Sequence, residues 1–221
     1  MSDMVLVFAS NNAHKLEEVR AIMPAGVEVL SLHDIGFEQE IEETGTTLEE
    51  NSRIKAATVA AFISSQHSAV SRQIDGVFAD DTGLEIDALH GEPGVYTARW
   101  YLQDEGMSEL VSESENFARN RAKALRELAD KNNRDCQFRT VITLIGLRPS
   151  AFSRQMSDLQ VEGIVRGRMA TEEYGEGGFG YDPIFIPEGY DKTFGELPAE
   201  LKNTISHRAR ALAELVKVLN R

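Results

Sequence analysis

The sequence predicts an α/β fold built on a mixed β-sheet, and three observations lead there. The chain opens with a short apolar run, a polar turn and an amphipathic segment, which reads as strand, turn and helix. Two long strand candidates, 136–147 and 159–169, are joined by a polar segment and read as a hairpin with an extended loop. Helices and hairpins are mixed along the chain, so it is not a clean βαβ series. With 221 residues and 42% hydrophobic content, a single domain of this kind can bury a sizeable core.

Taken in order, "MVLVFAS" (4–10) is a buried strand. In "NNAHKLEEVRAIMP", Leu16, Val19, Ile22 and Met23 share one helical face, and Pro24 ends the helix. "VEVLSL" (27–32) is a second strand. "EIEETGTTLEEN" (40–51) is an acidic loop entering a helix, with Thr47 and Glu50 as a capping box and an end near Ser64. "GVFAD" (76–80) and "LEIDAL" (84–89) are short strands around an Asp-Asp-Thr-Gly turn. "HGEPGVYTARW" (90–100) is a loop rich in turn residues. Ser112 and Glu115 start a helix that runs to about Lys131. "GEGGFGYDPIFIPEGY" (175–190) is a glycine-rich loop followed by a strand. A short Pro198-initiated turn of helix precedes a long amphipathic helix from about Ser206.

Charge narrows the function. There are 23 Lys+Arg against 36 Asp+Glu, a net −13, which argues against a nucleic-acid polymer as partner. A small polyanion is still allowed, because a few placed cations and a divalent metal can hold a triphosphate. The single cysteine, Cys136, has no internal disulfide partner and reads as a core thiol. The start is acidic, with an apolar run of only Val5 to Ala9, and no run approaches the ~18 apolar residues of a membrane span. The expectation is a soluble cytoplasmic protein with no membrane partner.

Five stretches could carry chemistry. "SNNAHK" (10–15) lies where a strand meets a helix, a junction with free N–H groups that suits an anion; its plain alternative is an N-cap and a solvated lysine. Glu42 and Glu43 precede a helix on which Asn51 and Lys55 share a face, although acidic residues before helices are ordinary. Asp80 and Asp81 end an apolar run. One aspartate can serve a turn and the other a metal or a water, and strand alternation would keep both from facing one site. "GEGGFGYD" (175–182) matches G-x-G-x-x-G by count, but a strand follows it instead of a helix, so the dinucleotide reading is rejected. Phe179 or Tyr181 there could stack on a flat ligand. Lys202, His207 and Arg208 cluster near a helix start, where cations oppose the macrodipole unless an anion is present. No P-loop, zincin, nucleophile-elbow or C-x-x-C motif occurs.

Together these stretches resemble one family, the inosine triphosphate pyrophosphatases. The ordered set is S-x-N-x-x-K, E-E-T-G-x-T-x-x-E-N, A-D-D-[ST]-G-L, P-G-[VI]-Y-[ST]-A-R, G-G-F-G-Y-D-P-I-F and K-x-x-I-S-H-R, and it spans the chain from about Val5 to the last helix. The resemblance implies one nucleoside triphosphate pyrophosphatase domain over 1–221, with a long mixed sheet flanked by helices and two lobes around a central substrate cleft. It implies Mg²⁺-dependent hydrolysis of ITP, dITP and XTP to the monophosphate and pyrophosphate, in a homodimer. Ser10, Asn11, Asn12, Ala13, His14 and Lys15 would hold the triphosphate, faced by Asn51 and Lys55. Glu43, with Glu42 as its rival, and Asp81 would be the metal-side carboxylates, and Asp81 would activate the water. Asp80 would shape the turn or support the metal from behind. Thr82 would touch substrate. Phe179, Gly180, Tyr181 and Asp182 would cradle the base, and Lys202, His207 and Arg208 would close the base and phosphate pocket. A septum-inhibitor-like pyrophosphatase would carry Ser-x-x-Arg-Arg near the N-terminus, and here Ser10 is followed by "NNAHK". A non-catalytic nucleotide sensor would not need the intact carboxylate set.

Overall fold

The computed structural model describes residues 4–66, 73–104, 111–148 and 158–219. Its strands are β1 (Met4–Phe8), β2 (Val27–Leu30), β3 (Gly76–Ile86), β4 (Pro93–Gly94), β5 (Asp135–Gly146), β6 (Asp158–Met169) and β7 (Phe185–Pro187). Its helices are α1 (Ala13–Ile22), α2 (Leu48–Ser65), α3 (Glu113–Glu127), α4 (Ala199–Ile205) and α5 (His207–Leu219). The sheet is mixed, with the order β2-β1-β3-β5-β6-β7 and β4 on β3. Among the described residues no helix is long and apolar enough to cross a membrane.

The chain divides into two compact units: Met1–Asp81, Thr140–Gly163 and Arg208–Arg221 in the first, Thr82–Arg139 and Ile164–His207 in the second. In the first unit, β1 runs parallel to both β2 and β3, with Leu6 opposite Val29 and Val7 opposite Val77. A parallel strand covered on both faces reads as an unbroken apolar run, which is why "VLVFA" has no polar alternation. Leu6 and Phe8 pack with Val19, Phe78, Ile142, Leu212 and Leu215. Val7 and Ala9 point the other way, into Ala56, Val59, Ile63, Val77 and Ala79. Phe8 and Phe78 stack at 5.0 Å between ring centroids. Helix α2 begins with both halves of the expected capping box: Thr47 accepts from the Glu50 N–H, and Glu50 reaches back to the Thr47 N–H.

In the second unit the core gathers Leu84, Ile86, Trp100, Leu128, Cys136, Phe138, Tyr181, Phe185 and Phe194. Cys136 is the expected core thiol, and burial pushes its pKa up. Helix α3 stops short of Lys131, because the next residues close into tighter turns, with Ala129 N–H on Arg126 O and Lys131 N–H on Leu128 O. The strand expected after the glycine loop is shorter than "YDPIFI". Asp182–Ile184 form a single 3₁₀ turn, since Pro183 cannot donate to a ladder.

One expectation is overturned. There is no turn at Asp80–Gly83, and β3 runs unbroken from Gly76 to Ile86. Further along the strand, the Leu84 N–H donates to Thr97 Oγ1 at 2.8 Å, and Leu84 and Glu85 pair with Gly94 and Pro93. The two aspartates are engaged by cationic side chains, so neither is needed to cap a turn. In the polar segment 148–158, residues 149–157 lie outside the described residues.

Candidate active site

The first unit builds its site from the β1–α1 junction, the start of α2 and the middle of β3. Asn12 caps α1, its Oδ1 accepting the Lys15 N–H at 2.9 Å, while the Asn12 N–H donates to Ser10 Oγ at 3.2 Å. Asn11, Ala13 and His14 are exposed. This cap turns Lys15 back toward β3, where its Nζ lies 2.9 Å from Asp80 Oδ1.

Asp80 is 1% exposed and sits between two cations. Its second oxygen, Oδ2, accepts Arg208 Nε at 3.0 Å, and Arg208 Nη1 in turn pairs with Glu18. Burial alone would raise the Asp80 pKa, but Lys15 and Arg208 outweigh it and hold the carboxyl well below the usual carboxylate range. Of the two roles expected of Asp80, shaping a turn is overturned by the unbroken β3, and the carboxylate instead anchors two cations.

Asp81 is engaged separately. Lys55 Nζ lies 2.7 Å from Asp81 Oδ1 and 3.1 Å from Glu43 Oε1. Glu42 is exposed, so of the two rivals it is Glu43 that joins the cluster. Burial raises the Asp81 pKa above its ordinary value, and the attraction of Lys55 only partly counters it. For Lys55, burial acts to lower the pKa, but Asp81 and Glu43 outweigh it and raise it. One ammonium between two carboxylates leaves an excess of negative charge. Asn51 lies beside this set with its Oδ1 accepting the Gly45 N–H at 2.8 Å. Among the described residues its buried Nδ2 finds no hydrogen-bond partner, an uncompensated donor that a ligand acceptor would satisfy.

In the second unit, Asp182 organises the glycine-rich loop. Its Oδ2 accepts both the Phe179 N–H and Lys202 Nζ at 2.7 Å. Lys202 Nζ also stands 4.4 Å from the Phe179 ring centroid. Gly178 has φ +73°, and a Cβ there would lie 2.1 Å from Asp182 Oδ2, so only glycine fits. The Gly180 carbonyl accepts Arg121 Nη1 at 3.0 Å. His207 stacks on Phe138 at 4.8 Å. The Tyr181 ring is part of the core and its hydroxyl donates to Thr97 O at 3.0 Å, which leaves Phe179 as the half-buried ring of the loop. Thr82 is half-buried on β3.

The structure thus brings Lys15 together with Asp80 and Arg208, Lys55 with Glu43 and Asp81, and Lys202 with Phe179 and Asp182. Lys202 and His207 belong to the second unit and Arg208 to the first. Sequence reasoning missed Glu18. Its partner Arg208 lies at the far end of the chain, so no local spacing marks the pair.

Comparison with known proteins sets the class as a hydrolase of the nucleoside triphosphate pyrophosphatase kind. The chain belongs to the Ham1 family, whose model matches residues 6–218. It is 41% identical over 216 residues to a dITP/XTP pyrophosphatase of Flavobacterium johnsoniae, covering 98% of each chain. It is 42% identical over 216 residues to the dITP/XTP pyrophosphatase of Bacillus subtilis, covering 96% of each. Among solved structures it resembles the Staphylococcus aureus Ham1 protein, with TM-score 0.76, 35% identity and 98% of each chain covered.

Proposed function

We propose that this chain hydrolyses the non-standard purine nucleoside triphosphates ITP, dITP and XTP to the monophosphate and pyrophosphate, acting with Mg²⁺ as a cytoplasmic homodimer. The observation that carries the reading is Lys55 Nζ held between Asp81 and Glu43 beside the uncompensated Asn51 Nδ2. Cleaving an α–β phosphoanhydride needs neutralised phosphate charge and a positioned water, and little covalent chemistry from the protein. Lys15, Lys55 and Arg208 supply positive charge, and Ser10, Asn11, Asn12, Ala13 and His14 form the helix-start turn for the triphosphate. Asp81 accepts the proton as water adds to the α-phosphorus, and pyrophosphate departs. Its raised pKa makes it a better proton acceptor than a free aspartate.

The donor set fits Mg²⁺. Glu43 and Asp81 both contact Lys55 Nζ, and their hard carboxylate oxygens are the ligand type Mg²⁺ prefers. Among the described residues no group of three or more His, Cys, Asp or Glu could hold a metal by itself, so phosphate oxygens and water would complete the shell. When bound, the ion supplies charge neutralisation on the phosphates. For the base, Phe179 offers a stacking face and Lys202 a donor, with Gly180, Tyr181, Asp182, Thr82 and His207 completing that part of the site. A 6-oxo purine accepts a hydrogen bond where adenine donates one, a mismatch that discriminates strongly when buried.

The test is product analysis. Incubation with ITP, dITP or XTP and Mg²⁺ should release pyrophosphate, with ATP a poor substrate. Orthophosphate as the sole product overturns the reading.

A further inference from the structure

The elements that carry Lys55 and Asp81 are tied together by a chain of two buried hydroxyls and a half-buried amide that takes no part in the site described above. Ser52 and Thr143 are wholly buried. Ser52 Oγ lies 3.0 Å from Ala79 O and 2.7 Å from Thr143 Oγ1, and it accepts the Thr143 N–H at 2.8 Å. Gln160 Nε2 donates to Thr143 Oγ1 at 2.8 Å and to Glu49 O at 2.9 Å. Ser52 has one hydroxyl proton and two contacts that call for one. Its proton is shared between Thr143 Oγ1 and Ala79 O, while its oxygen accepts the Thr143 N–H. The chain links Gln160 on β6, Thr143 on β5, Ser52 on α2 and the backbone of β3.

Its placement is specific. Ser52 follows Asn51 and precedes Lys55 by one turn, and Ala79 adjoins the Asp80–Asp81 pair. Further along α2, Ala56, Val59 and Ile63 face the same core with no polar atoms. Apolar packing tolerates sliding, whereas hydrogen bonds fix direction and register, and catalytic geometry tolerates only about 0.5 Å. We propose that Ser52, Thr143 and Gln160 are positioning residues that lock α2 against β3, so that Lys55 Nζ meets Asp81 Oδ1. This rests on the reading of Asp81 as proton acceptor.

The test uses Ser52→Ala, and Thr143→Val paired with Thr143→Ser. The control is Ala57→Gly, which loosens the exposed side of α2 and leaves the hydroxyl chain intact. Expected for Ser52→Ala and Thr143→Val is a fall in kcat of about tenfold or more, with KM for ITP within about twofold. Thr143→Ser keeps its hydroxyl and keeps kcat. Ala57→Gly lowers Tm and keeps kcat. A crystal structure of Ser52→Ala should show the Lys55–Asp81 contact lengthened beyond about 3.5 Å. Unchanged kcat in Ser52→Ala and Thr143→Val, or a loss matched by Ala57→Gly, overturns the proposal. If the wild-type chain releases no pyrophosphate, the functional reading falls by itself, and the Lys55–Asp81 distance in Ser52→Ala still decides the positioning set.

Discussion

Lys55 Nζ lies 2.7 Å from Asp81 Oδ1, while the backbone neighbour Asp80 gives both its oxygens to other cations, Lys15 and Arg208. Adjacent residues of one extended strand therefore serve separate charge sets, and their replacements should fail differently.

Asp81→Asn removes the proposed proton acceptor and keeps the shape. Turnover of ITP should fall by about 10²–10⁴-fold, the usual worth of a general base. Nucleotide affinity, measured by calorimetry, should change little. Activity near wild type removes Asp81 from the role.

Asp80→Asn removes the carboxylate shared by Lys15 and the buried Arg208, which keeps Glu18, and breaking a buried pair costs about 3–5 kcal/mol. The Asp80 carboxyl is held below its unfolded value, so its contribution is fully present above about pH 3.9 and is lost as pH falls through the lower folded value. Urea titrations at pH 7 and pH 3 should show a large deficit for Asp80→Asn at pH 7 that narrows at pH 3. Equal stability of the two proteins at pH 7 contradicts the anchor role.

Asp81 shifts the other way. Burial acts to lift its pKa and Lys55 acts to lower it, so the acid limb of the rate profile should respond to Lys55. Lys55→Gln removes the attraction that partly counters burial, and the limb should move further toward neutrality. A limb that stays in place or moves to lower pH denies the pairing.

Metal removal separates the two glutamates. Chelation should abolish turnover, and Mg²⁺ should restore it. Glu43→Gln should raise the Mg²⁺ concentration for half-maximal rate by about tenfold, since one carboxylate of a sparse shell is lost. Glu42→Gln, at an exposed position, should leave it unchanged.

Gly178→Ala places a Cβ against Asp182 Oδ2 in a left-handed backbone conformation. The strain is about 1–3 kcal/mol. Displacing Asp182 also frees the Phe179 N–H and Lys202. KM for ITP should rise more than kcat falls, and thermal denaturation should begin earlier.

Much of this molecule was legible because its signals are local. The Thr47–Glu50 box and the Asn12 turn are written within four residues, and the apolar run of β1 announces a strand covered on both faces. The turn expected at Asp80–Gly83 failed because Asp, Thr and Gly favour turns only while their side chains lack better partners. Lys15 and Arg208 lie far away in sequence, and that distant charge settles the local conformation. The same distance hid Glu18 and the Ser52–Thr143–Gln160 chain, whose members are unremarkable residues until the strands pair.

The second unit's core also contains a reporter. Cys136 is the chain's single cysteine, 2% exposed, with its thiol held protonated by burial. A thiol-reactive dye cannot reach it in the closed fold, and a thiol is sluggish where a thiolate would react. Labelling kinetics on the unmodified protein therefore time the opening of that core, with no engineered probe and no background from other sulfhydryls.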